Sequence, residues 1–133
     1  MGLCLVVGCD YTLAGKWEYK ELRRVKSPDS QMEAVLVEGN GGATTSTLSS
    51  IYLIAAGATL DLANRDKSLF DADHVSGFDV AWASSDLLHI RYAEARILNF
   101  RNFGYGPGSR VIEIQLHPAT TNYALPMRDR LRQ

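Results

Sequence analysis

Two short runs of alternating residues, set back to back, constrain this chain more than any other feature. Phe78, Val80 and Trp82 alternate with Asp79 and Ala81; after Ser84-Ser85-Asp86, Leu88, Ile90 and Tyr92 alternate with His89 and Arg91. A period of two puts the two sets of side chains on opposite faces of an extended strand. Two such runs across a tight turn predict a β-hairpin with one buried face.

The rest of the chain repeats the theme. Trp17 to Val25 reads as a strand with Trp17, Tyr19, Arg23 and Val25 on one face, and Ser27-Pro28-Asp29-Ser30 as a turn: proline presets φ, and Ser and Asp side chains bond the turn's backbone. Met32 to Glu38 has Val35 and Val37 on one face and Ala34 and Leu36 on the other, the pattern of a strand covered on both sides. Glycines at 39, 41 and 42 exclude a helix there, so residues 38–46 read as a loop or a kinked hairpin connection. Leu48 to Ile54 returns as a strand that ends at Ala55-Ala56-Gly57. Residues 58–74 hold no clean period and suggest loop with one helical turn. Gly104 to Ser109 is a loop, and Arg110 to Leu116 is a strand with Ile112, Ile114 and Leu116 inward, stopped by Pro118. Trp17 and Trp82 are both assigned to the core. The expectation is a mainly β chain: one domain of five to six mostly antiparallel strands, a curved sheet or small sandwich, over residues 17–125. It follows a signal-like segment and linker (1–16) and precedes a basic tail (126–133) with Arg128, Arg130 and Arg132.

A length of 133 residues fits a single domain with a sizeable core. The net charge of −1 gives no general attraction to nucleic acid, and no nucleic-acid partner is expected. The charge is uneven: residues 61–90 hold two Lys/Arg against six Asp/Glu, and residues 91–133 hold seven against three. Two solvated faces account for this, or a surface that binds a partner.

Both cysteines, Cys4 and Cys9, fall in the first nine residues, so no disulfide framework spans the domain. Val6-Val7-Gly8-Cys9 resembles a bacterial lipobox, in which small residues expose the bond before a cysteine that is then lipidated. That reading puts the lipid on Cys9 and requires a basic, apolar segment upstream of Met1. The alternative is a buried first strand, Leu3 to Val7, of a cytosolic protein.

A longer resemblance bears on this choice. Ser27-Pro28-Asp29, the strand Glu33 to Glu38, Gly42-Ala43-Thr44-Thr45-Ser46, the strand Ser50 to Leu53, and Val80-Ala81-Trp82-Ala83-Ser84 together resemble a family of small uncharacterised bacterial lipoproteins. Its members share a Ser-Pro-Asp turn followed by a Gly-Ala-Thr-Thr motif. The family has glycine where this chain has Ser30, and cysteine where it has Gly41. The resemblance implies an envelope location, anchored by lipid and facing the periplasm, and implies no activity.

The candidate chemistry is sparse. Asp71-Ala72-Asp73-His74 is the densest cluster of oxygen and nitrogen ligands, but it lacks the further carboxylates and turn glycine of a calcium loop, so no metal or cofactor is expected. Gly104, Gly106 and Gly108, flanked by Arg101 and Arg110, could cradle an anion, but the loop leads into a strand rather than a helix. Thr44, Thr45, Ser46, Ser49 and Ser50 offer hydroxyls, and His89 and His117 offer bases on outward faces, with no nucleophile elbow. The chain is therefore expected to be a non-enzymatic binding protein, of inhibitor, immunity or accessory type, with a protein partner. Its binding residues would be Gly42, Thr44, Thr45 and Ser46. A soluble interaction domain is the alternative, and a hydrolase or metal binder the third reading.

Overall fold

The computed structural model describes residues 17–42, 46–62 and 67–119. They are mainly β. Nine strands run in chain order: β1 (Glu18–Lys26), β2 (Met32–Asn40), β3 (Leu48–Ala55), β4 (Phe70–Ser76), β5 (Asp79–Ser84), β6 (Leu87–Tyr92), β7 (Glu94–Phe100), β8 (Phe103–Tyr105) and β9 (Val111–Pro118). They make a five-stranded antiparallel sheet, β1-β2-β3-β4-β7, and a four-stranded sheet, β5-β6-β9-β8. In the second sheet β9 runs parallel to β6 and antiparallel to β8.

The sheets bury their inner faces against each other, as a sandwich of amphipathic sheets must. Met32, Ala34, Leu36, Ile51, Phe70 and Ala72 from the larger sheet meet Val80, Leu88, Ile90, Ile112 and Ile114 from the smaller. Phe70 stacks on Phe78, ring centroids 5.6 Å apart. Trp82 packs on this core, and its Nε1–H donates to the Val25 carbonyl at 2.8 Å, joining the smaller sheet to β1. Strand β2 is buried on both faces, as its pattern indicates. Val35 and Val37 turn outward to a second cluster with Tyr52, covered by Leu60 and Leu62.

Three expectations are corrected. Nine strands are present among the described residues, not five or six. Residues 70–76 are a strand rather than loop: Phe70 and Ala72 point inward while Asp71 and Asp73 point outward. The alternation is real but easily missed, because aspartates have low β-propensity and the second inward residue is only alanine. Third, Trp17, Tyr19, Arg23 and Val25 do not share a face. A β-bulge at Leu22 separates Glu21, opposite Val37, from Arg23, opposite Leu36. One extra residue inverts the parity of everything beyond it. Tyr19 therefore packs on the outer cluster and Val25 on the core. Trp17, expected in the core, is 40% exposed on the outer face.

A cleft across five strands

The outer face of the larger sheet has one row in which all five strands contribute. The registers pair Tyr19 with Gly39, Gly39 with Leu48, Leu48 with Asp73 and Asp73 with Arg96. Each member of the row is there for a local reason. Gly39 lets two aromatic rings lie down on the sheet: a Cβ at that position would sit 2.8 Å from Tyr19 Cε1 and 3.4 Å from Trp17 Cε3. Trp17 and Tyr19 stack there, 6.2 Å apart and 13° from parallel. Leu98 is the extra residue of a second bulge, where Asn99 pairs with Asp71 and Ile97 with Ala72, and it stands 57% exposed.

Between these groups lies a cleft of about 330 Å³ lined by Trp17, Ser46, Leu48, Asp73, Arg96 and Leu98. Its apolar walls are Trp17, Leu48 and Leu98. Its polar edge is a connected chain of side chains. Arg96 grips the Asp73 carboxylate with two nitrogens, Nε to Oδ1 at 2.7 Å and Nη2 to Oδ2 at 2.5 Å. His74 Nδ1 lies 3.1 Å from Asp73 Oδ1, and His74 Nε2 lies 3.3 Å from Ser46 Oγ. The Arg96 guanidinium, and then His74, hold the Asp73 carboxyl well below the usual carboxylate range. Asp73 is 7% exposed, so its charge is stabilised by these partners rather than by water.

The next row is also polar. Glu21, Val37, Ser50, Asp71 and Asn99 lie side by side. Ser50 and Ser68 donate to Asp71 at 2.5 and 2.6 Å, and Asn99 donates at 3.1 Å. This network joins β3, β4 and β7 in the row next to the cleft. A larger hollow of about 490 Å³ opens beside it, lined by Glu18, Tyr19, Lys20, Glu38 and Asn40. Its walls mix both signs of charge and hold no paired nucleophile and base, so the smaller cleft is the better candidate site.

Of the residues singled out from the sequence, Ser46 lies in the cleft. Gly42 does not line the cleft; it has φ +120°, with its N–H bonded to Asn40 Oδ1 at 2.9 Å. Thr44, Thr45 and Cys9 lie outside the described residues. Asp73 and His74, weighed from the sequence as metal ligands in an exposed loop, are strand residues of the cleft. No cluster of three or more metal-ligating side chains is found among the described residues. Reasoning from the sequence missed Trp17, Arg96 and Leu98 as site residues. His89 and His117, considered as bases from the sequence, lie against each other on the smaller sheet, ring centroids 4.0 Å apart and tilted by 40°, away from these serines. Nor do the loop glycines at 104–108 carry an anion site flanked by arginines, since Arg110 is held by Asp29 and Asp86.

No helix among the described residues is long and apolar enough to cross a membrane. Compared with protein-family models, curated proteins and solved structures, the chain finds no match.

Proposed function

We propose that this chain is an envelope lipoprotein, anchored through a lipid on Cys9, and that it acts by holding a segment of a protein partner in the cleft between Trp17 and Leu98. The observation that carries the binding reading is the cleft itself. Trp17, Leu48 and Leu98 offer apolar surface beside a charged, hydrogen-bonded edge at Arg96, Asp73 and Ser46. Exposed aromatic and aliphatic side chains around a few fixed polar groups are what a specific contact uses. Ser46, at the end of the glycine-rich segment, lies on the same edge, and loops on a rigid sheet commonly serve recognition. The anchoring half of the proposal is supported by Val6-Val7-Gly8-Cys9 and by the lipoprotein-like motifs.

Two measurements test the halves separately. Full-length protein made in its native host should partition into detergent, and Cys9→Ser should release it; an aqueous wild type with an unmodified amino terminus overturns the anchoring. Trp17→Ala and Leu98→Ser change exposed residues, so each should keep the fold by circular dichroism. Each should also lose the partner captured by wild type from an envelope extract. Capture that both variants retain overturns the cleft as the binding site.

A further inference from the structure

The polar edge of the cleft has an order that binding alone does not require. A nearly buried aspartate contacts one imidazole nitrogen, and the other imidazole nitrogen contacts an exposed serine hydroxyl. With the ring proton on Nδ1, donated to Asp73, Nε2 is free to accept from Ser46 Oγ–H. This is the arrangement in which a serine becomes a nucleophile. We propose that Ser46 is an acyl-accepting nucleophile, that His74 is its general base, and that the substrate is a carboxylic ester whose apolar acyl group lies against Trp17, Leu48 and Leu98.

The backbone supports the assignment independently of these distances. Asp73 and His74 are neighbours on one strand, and neighbours on a regular strand point to opposite faces. His74 has φ +54°, in the left-handed region that histidine seldom adopts. That break in β4, where its pairing with β7 also skips between Asp73 and Ser76, lets the imidazole turn back to its neighbour's carboxylate. The antiparallel register of β3 on β4 sets Leu48 against Asp73, so Ser46, two residues earlier, falls level with Val75, the neighbour of His74, whose turned-back ring reaches it. Arg96 fixes Asp73 with Nε and Nη2. Arg96 also lines the cleft, so its guanidinium places positive charge beside a bound ester, suited to charge that develops on a carbonyl oxygen.

The chemistry balances with water as the only co-reactant. Ser46 Oγ bonds to the ester carbonyl carbon as its proton passes to His74 Nε2. The tetrahedral intermediate collapses, the bond to the alcohol oxygen breaks, and the alcohol leaves with the proton from Nε2. Water then attacks the acyl-serine and gives a proton to Nε2. The carboxylic acid departs, and the proton returns to Ser46 Oγ. Asp73 remains ionised throughout and positions the ring.

This inference goes beyond the binding proposal and is independent of anchoring at Cys9. It is tested on the full chain with a fluorophosphonate probe, which phosphonylates activated serines, and with p-nitrophenyl butyrate. The expected result is one adduct by intact mass, mapped to Ser46, and slow ester hydrolysis. Ser46→Ala should abolish both, and His74→Gln should slow labelling by roughly 100-fold or more, as loss of a general base does. Asp73→Asn should slow labelling, and the conservative Asp73→Glu should restore part of the rate, as expected of a positioning residue. Ser46 and His74 are exposed, so both variants should melt as wild type does, which separates lost chemistry from lost fold. Absence of a Ser46 adduct, or labelling indifferent to His74→Gln, overturns the proposal. Partner capture by wild type, and its loss in Trp17→Ala and Leu98→Ser, bears on the binding proposal whether or not Ser46 is labelled, so the two fail separately.

Discussion

Ser27 carries more of the first turn than its size suggests. Its N–H bonds the Met32 carbonyl at 2.8 Å, its Oγ accepts from Met32 N–H at 3.1 Å, and its hydroxyl donates to Asp29 Oδ1 at 2.7 Å. Asp29 also accepts from Gln31 N–H and from Arg110. The hydrogen bond from Ser27, then that from Gln31, lowers the Asp29 carboxyl to about 2. Arg110 reaches across to Asp86 and to the Ser85 carbonyl, and Asp29 N–H bonds Ser85 Oγ. The Ser-Pro-Asp motif is thus a clasp between the turns of two hairpins, one from each sheet. The turn residue Ser30 is held at φ +63°, where a side chain is strained and glycine is not. Ser30→Gly should therefore raise stability in a urea titration by about 0.5–1 kcal/mol; a loss of stability would mean that the serine side chain has a compensating contact. Serine in place of the glycine usual in such a turn was legible in the sequence, whereas the partner 81 residues away, Arg110, was not. Local spacing reports turns but not which turns meet.

At the scale of elements, legibility followed how cleanly apolar and polar residues separate rather than place in the sheet: β5, at an edge, was readable, and β4, inside its sheet, was not. The β5–β6 hairpin and β9 were readable because apolar and polar residues alternate along them, and β2 because a short apolar run buried on both faces is itself a strand pattern. The edge strands β1 and β7 carry bulges at Leu22 and Leu98, and an edge that is only half covered keeps little alternation to read. The bulge at Leu22 makes a sharp prediction. Leu22 is 50% exposed, so Leu22→Ala should change stability by less than about 0.5 kcal/mol. Deleting residue 22 should be far worse, since it would rotate Trp17, Tyr19 and Glu21 onto the opposite face. Similar denaturation midpoints for the two variants would show that β1 tolerates either register. On the smaller sheet, β6 and β9 set His89 against His117. Partial burial, and then the His117 charge, depress the His89 pKa below its ordinary 6.5. The unfolded chain therefore binds a proton more readily, and stability is fully present above pH 6.5 and declines as the pH falls below it. His89→Gln should flatten the stability profile between about pH 7 and 5; an unchanged slope would assign the dependence elsewhere.

At the scale of the whole molecule, the sandwich has two outer faces of different character. One carries the histidine pair and the exposed side chains of β8 and β9. The other has the Tyr19–Gly39–Leu48–Asp73–Arg96 row, which ends in the cleft. The sequence pointed to Ser46 through the loop that bears it, but not to the company Ser46 keeps. That company is assembled by register across strands at residues 17, 48, 73 and 96, and two of these strands carry bulges that no periodicity reveals. A site gathered from segments this far apart in the chain has no spacing signature, however regular its geometry. The central claim is that this row, and not the opposite face, is where the chain meets its partner. A photo-crosslinking amino acid placed at Leu98 in cells of the native host tests it most directly, with the same residue placed at Tyr105, exposed on β8, as the comparison. The account expects one discrete adduct from position 98, lost on adding Trp17→Ala, and none from position 105. Adducts from 105 alone, or from 98 undiminished by Trp17→Ala, would contradict it.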